Sequence, residues 1–170
     1  SMVGAEGAPK IDIAVDPLEC TNNCADDQPN SIAVLAAAPR GTLLHAPDCY
    51  MNKLAAGPAL AGHVSLEGGA VYNIEQAMHV LDCEAKDVRI VALDRERHHQ
   101  LFKEINETGA QLELLGDGDV AGAIWAAKDD GPFDMLMGIG AAPEGVISAT
   151  AIRGIGGVFE GRLVFRSAQE

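Results

Sequence analysis

The chain is poor in aromatic residues, poor in cations and free of long apolar runs, and each shortage removes a class of answer. Aromatics make up 4% of the sequence, so a core has to come from Val, Ile, Leu, Ala and Met. Lys and Arg number 12 against 25 Asp and Glu, a formal net charge of -13. No nucleic-acid backbone is expected as a partner, because neutralising its phosphates needs a Lys/Arg surface. An anionic membrane surface is excluded on the same ground. A small phosphorylated ligand is not, since a few local cations and a bound metal can hold one. No run approaches the apolar length of a membrane span. Ser1-Met2-Val3-Gly4 opens no basic-then-apolar leader, so a cytoplasmic location is expected. Cys20, Cys24, Cys49 and Cys83 form no Cys-x-x-Cys pair, and no His pair stands at zinc spacing. They read as reduced thiols.

What is present fits one globular unit. The 170 residues are 48% hydrophobic and include 19 Gly, enough chain for a core and many tight turns. Residues 1–9 are expected to be flexible, and residues 10–166 to form a single unit in two portions. The first, 10–66, reads as an antiparallel β meander with apolar runs at 11–15, 31–38 and 42–46. Proline is expected to end the first run at Asp16-Pro17, and 22–30 reads as a loop. The second portion, 70–166, alternates helices (71–81, 96–108, 119–127, 143–155) with strands (88–93, 111–115, 134–137, 157–165). Such alternation predicts an open α/β sheet with helix cover. Gly109 is placed to close one helix and Pro143 to open another.

The candidate chemistry gathers at strand ends. Asp16 and Glu19 follow the first apolar run, with Thr21 close behind, and their oxygens suit Mg or Mn rather than Zn. An ordinary turn start with a solvated Glu19 is the plain alternative. The strand at 88–93 runs into Asp94-Arg95-Glu96-Arg97-His98-His99. Two forked cations at a helix start oppose the helix dipole unless an anion relieves them; alternatively they are an exposed basic pair. After 111–115 come Gly116-Asp117-Gly118-Asp119, which either cap the next helix or accept hydrogen bonds from ligand hydroxyls. Gly138 to Gly145 is glycine-rich and opens a helix, where backbone N–H groups can hold an anion. It lacks the Lys-Ser/Thr pair of a nucleotide loop. Glu144 there is either a dipole-complementing charge or a third metal carboxylate. Ligands of open α/β sheets gather outside the carboxyl ends of the strands, so these loops should meet the Asp16–Thr21 turn if it lies on the same edge. His98 and His99 read as helix-surface residues, and His45, His63 and His79 show no ligand spacing.

Five segments in series carry a family likeness: Asp16-Pro17-Leu18-Glu19-Cys20-Thr21, Ala46 to Lys53, Leu93 to His98, Asp117 to Val120, and Gly138 to Val146. Their order resembles class II (GlpX-type) fructose-1,6-bisphosphatases over about residues 10 to 165. The version in photosynthetic bacteria that also takes sedoheptulose 1,7-bisphosphate looks closest, through Tyr50 to Ala56. The resemblance implies a layered α/β/α/β/α fold like that of the sugar and inositol monophosphatases. It implies Mg- or Mn-assisted hydrolysis of the 1-phosphate of fructose 1,6-bisphosphate, in gluconeogenesis or the Calvin cycle. By motif, Asp16, Glu19 and Glu144 would hold the metal, and Thr21 would position the attacking water. Tyr50, Arg95 and Arg97 would hold the remote 6-phosphate. Asp117, Gly118 and Asp119 would meet sugar hydroxyls. Cys20 stands where the family usually has Gly, and Cys49 where it usually has Met. Family chains also carry segments before and after the matched region, the upstream one bearing further acidic ligands. The expectation is therefore a relative truncated at both ends, with apolar faces open to self-association into a homo-oligomer. A non-catalytic sugar-phosphate-binding or interaction protein is the alternative.

Overall fold

A computed structural model describes residues 6–167, so within the stretch 1–9 the residues 1–5 lie outside the described residues. The described residues hold seven strands: β1 (Ile11–Glu19), β2 (Ile32–Pro39), β3 (Tyr50–Ala56), β4 (Arg89–Leu93), β5 (Gln111–Leu115), β6 (Met135–Ala141) and β7 (Val158–Val164). Helices are α1 (Thr21–Ala25), α2 (Gly69–Leu81), α3 (His99–Thr108), α4 (Asp119–Ala127) and α5 (Ala142–Ile155), with short 3-10 turns between. β1 and β2 form a two-stranded antiparallel ribbon; the other five strands make a mixed sheet in the order β5-β4-β6-β3-β7. β4 runs parallel to β5 and to β6, while β3 is antiparallel to β6 and β7.

The sequence pattern explains the placement. Ile90-Val91-Ala92 is a continuous apolar run with every residue fully buried, as an interior parallel strand requires. β5 carries Gln111 and Glu113 exposed, the marks of an edge. On one face of the sheet, Leu54, Ala56, Ile90 and Met135 pack against Ala70, Ile74 and Ala77 of α2 and Ile105 of α3. On the other, Ala55, Val91 and Leu136 meet Ala123 and Ala126 of α4 and Ile152 of α5. The outer side of α4 and α5 then receives the ribbon, through Val120, Ile124 and Ile147 against Ala14, Val34 and Ala36. Four layers stack in this way: helices, sheet, helices, ribbon. Among the described residues no helix is long and apolar enough to cross a membrane.

Several expectations are corrected. Pro17 does not end the first strand. β1 continues to Glu19, and Pro17 sits where the ladder slips between Asp16 and Glu19, a place that asks no N–H of it. Residues 21–25 form a short helix, not loop. Residues 42–46 contain no strand. The third strand is β3, an interior strand of the large sheet, so the change of sheet falls between Pro39 and Tyr50. β6 runs on to Ala141, past the expected end at 137.

Candidate functional site

The parallel pair β4–β6 is bonded only at Ile90–Met135 and Val91–Leu136. Beyond that the strands part, and the sheet opens at their carboxyl ends. His98 spans the gap: Nδ1–H donates to the Leu93 carbonyl at 2.8 Å, and the Ile139 N–H donates to Nε2 at 2.7 Å. Those two bonds set the tautomer. The ring is 2% exposed, and burial pushes its pKa below the ordinary value, so it stays neutral. His98 is thus a buried strut rather than the surface residue expected from the helix pattern.

Above this strut lies a cleft of about 220 Å³ lined by Glu19, Tyr50, Arg95, Arg97, Asp117, Asp119 and Glu144, with Leu93, Gly140 and Ala141. The antiparallel start of β3 contributes Tyr50, opposite Ala141 of β6 and Val164 of β7. Arg97 donates from Nε and Nη2 to the Ile139 carbonyl at 3.0 and 2.6 Å, and its guanidinium carbon stands 4.7 Å from the Tyr50 ring centre. Arg166 lies over the same ring at 5.1 Å. Arg95 donates to the carbonyls of Asp94 and Gly116 and reaches the Asp117 carboxylate at 3.6 Å. The two arginines form one wall.

The remaining charged lining is acidic. Asp119 opens α4 and bonds Lys53 Nζ at 2.6 Å, with Lys53 1% exposed. A Cβ at Gly140 would run into the Asp119 carboxylate, so only glycine admits this pairing. Gly118, at φ 92, turns the chain into α4 in the left-handed region that glycine occupies without penalty. Glu19 is 5% exposed and accepts hydrogen bonds from the Cys20 thiol, at 2.9 Å, and from the Val120 N–H. Burial raises its pKa, and the charges of Asp119 and Asp117 push the same way. Glu144, in the first turn of α5, has one buried oxygen, Oε2, with no hydrogen-bond partner. Burial raises its pKa too, against the pull of Lys53.

Of the residues singled out from sequence, Glu19, Tyr50, Arg95, Arg97, Asp117, Asp119 and Glu144 share the cleft, and Gly118 links two of them. Asp16 does not line it. Its carboxylate accepts from the Leu18 N–H at 3.0 Å, yet its charge is felt by Glu144. Thr21 is exposed at the first position of α1 and outside the lining. Among the described residues no three His, Cys, Asp or Glu side chains stand together as a ready metal cage. The donor chemistry nonetheless fits a hard divalent cation: buried carboxylates, one with an orphaned oxygen, facing an acidic neighbour.

Sequence reasoning missed Lys53, His98 and Arg166. Lys53 had a legible signal, a lone cation inside the otherwise uncharged run Tyr50–Ala56. His98 and Arg166 had none, because Ile139 and Tyr50, the partners that bring them to the site, are distant in sequence.

The whole chain, residues 1–170, matches the family model described as bacterial fructose-1,6-bisphosphatase, glpX-encoded. It is similar to a D-fructose 1,6-bisphosphatase class 2/sedoheptulose 1,7-bisphosphatase of Prochlorococcus marinus subsp. pastoris, 49% identical over 166 residues, 98% of this chain and 50% of that protein. The Thermosynechococcus vestitus protein of the same name is 48% identical over 159 residues, 94% of this chain and 46% of that one. The chain spans about half the length of the curated relatives it matches.

Proposed function

Because the chain belongs to the glpX-encoded bacterial fructose-1,6-bisphosphatase family, we propose that its cleft binds a sugar bisphosphate and takes part in hydrolysis of the 1-phosphate of fructose 1,6-bisphosphate, and of sedoheptulose 1,7-bisphosphate. The observation that carries the reading is the gathering of Arg95 and Arg97 with four carboxylates, two of them buried, in one cleft, with Glu144 Oε2 unpartnered. Arg95, Arg97 and Tyr50 take the phosphate that is not cleaved. Their forked donors match its oxygens, and the carbonyl anchors of both arginines hold the forks in place. Asp117 and Asp119 accept from sugar hydroxyls, and the Gly118 backbone approaches the ring closely. Lys53 keeps Asp119 aimed and charged.

Glu19 and Glu144, with Asp16, would hold a divalent ion of the Mg or Mn class. When bound, that ion supplies charge to stabilise the phosphoryl oxygens as the ester breaks. Thr21 orients the attacking water. The four stacked layers support a wider assignment to the layered architecture of sugar and inositol monophosphatases.

Phosphate release from fructose 1,6-bisphosphate with Mn or Mg present tests the proposal. Glu144→Gln is expected to abolish both turnover and calorimetric Mn binding. Arg97→Ala is expected to weaken bisphosphate binding far more than monophosphate binding. Equal weakening would remove the remote-phosphate role. Absence of turnover with sugar-bisphosphate binding retained would leave this chain a binding unit alone.

A further inference from the structure

We propose that Cys20 is a positioning residue: its thiol latches the Glu19 carboxylate and restrains the acidic wall from taking a divalent cation. The inference rests on the assignment of Glu19 to cation binding made above.

Three observations meet at this residue. Cys20 adopts φ 65 and ψ 52, a left-handed backbone conformation that a side chain with a Cβ enters only under strain. The strained turn is held in place from outside, since its carbonyl accepts from Ser31 Oγ at 3.0 Å and from the Cys24 N–H at 3.2 Å. The consequence of the turn is that the side chain faces inward. Cys20 is 5% exposed, and Sγ–H donates to Glu19 Oε2 at 2.9 Å. On its far side the sulfur abuts Gly118, where any Cβ would collide with it. The sulfur therefore sits between the backbone that opens α4 and the carboxylate.

Glu19 in turn accepts from the Val120 N–H. With the thiol added, the carboxylate is tied to both the helix and its own neighbour. A cation that needs Oε2 has to displace the thiol donor first. A residue without a side chain at position 20 would remove both the donor and the strain. Serine would keep a donor on the same backbone.

Calorimetric titration with Mn ions compares the parent chain with Cys20→Gly and Cys20→Ser. The expected result is a roughly three- to tenfold lower Kd for Cys20→Gly, the order of effect of losing one ordinary hydrogen bond, as suits a weak thiol donor. Cys20→Ser should stay within about twofold of the parent, because the donor is retained. Equal affinities for all three chains, or a Cys20→Ser chain as tight as Cys20→Gly, would overturn the restraint on cation uptake. A metal-free measurement separates this failure from failure of the cation assignment. The infrared S–H stretch of Cys20, isolated as the difference between parent and Cys20→Ser spectra, should lie to the red of a free thiol and move back in Glu19→Gln. An unshifted band would refute the latch whether or not Mn binds. A shifted band without Mn binding, or with equal Mn affinities, would refute the restraint on cation uptake while leaving the hydrogen bond.

Discussion

On the five-stranded sheet, Ile90, Val91 and Ala92 are fully buried and helices cover both faces; on the β1–β2 ribbon, Ile11 (55% exposed), Ile13 (52%), Val15 (59%) and Leu35 (64%) line an uncovered face. Cross-strand pairing places Ile11 opposite Pro39, Ile13 opposite Ala37 and Val15 opposite Leu35, so these side chains form one contiguous apolar surface. Only the other face of the ribbon is packed. The cleft straddles this difference. Tyr50, Arg95, Arg97, Asp117, Asp119 and Glu144 stand on the sheet, its helices and their loops, while Glu19 rides on the ribbon. The arginines are thus held by a packed core, and one of the cleft's acids, Glu19, by two strands stabilised on one side. A two-stranded ribbon has little stability of its own, so order at Glu19 depends on α4 and α5 beneath it.

The sharpest way to break this comparison is to strike the junction. Lys53 lies in the middle of β3 and forms a buried ion pair with Asp119 at the start of α4. Lys53→Met leaves that carboxylate buried and uncompensated, and urea denaturation is expected to show a loss of about 3–5 kcal/mol. Adding Asp119→Leu should recover most of the loss while destroying the cleft. If Lys53→Met alone costs under about 1 kcal/mol, the pair does not bind the sheet to the acidic wall.

Next in size is a cut inside the sheet itself. Leu54 is 1% exposed and packs with Ile74 of α2 and Met135 of β6 in the same cluster. Leu54→Ala should cost about 2–5 kcal/mol, by lost burial and by the cavity left behind. Circular dichroism during denaturation would show one transition shifted to lower urea.

A smaller effect has the opposite sign and depends on pH. Burial raises the folded-state pKa of Glu144 above its ordinary value of 4.5. Between those two values the folded chain keeps a proton that the unfolded chain has released. Stability therefore falls as pH rises through that window and stays lower above it. Glu144→Gln removes the ionisation. Without metal, the variant should melt above the parent at neutral pH, and the gap should close once pH drops below 4.5. A gap that persists in acid would locate its cause in packing.

How much of this could be read beforehand differs between the same two regions. From residue 88 onward, apolar runs and helical spacing alternate cleanly, and β5 and α4 fall at the ranges expected, 111–115 and 119–127. Gly109 closes α3 at φ 84 as its position suggests. The acids and arginines of the cleft were legible because they cluster just after strands. β3 was not, since Asn52 and Lys53 interrupt the run and hide an interior strand whose cation is matched only by a residue 66 positions away. Pro17 misled for a related reason: a ladder irregularity tolerates proline, but nothing local announces one. His98 looked like half of an exposed pair, and its burial follows from the parting of β4 and β6, a feature of topology alone.

The smallest expected effect tests the ribbon directly. Ile13 has its side chain half in water on the uncovered face, opposite Ala37. Replacing it with serine removes apolar area that the fold does not bury, so Ile13→Ser should change stability by no more than about 0.5 kcal/mol. The control is Ala36→Ser on the packed face, where Ala36 is 5% exposed against Val120 and Ile147 and a hydroxyl without a partner costs about 1–3 kcal/mol. A loss at Ile13 equal to that at Ala36 would mean that the apolar face is covered in solution. Sedimentation velocity would then show the parent above monomer mass and Ile13→Ser at monomer mass. With the two losses far apart and both chains monomeric, the ribbon is held from one side only, and the position of Glu19 is the business of α4 and α5.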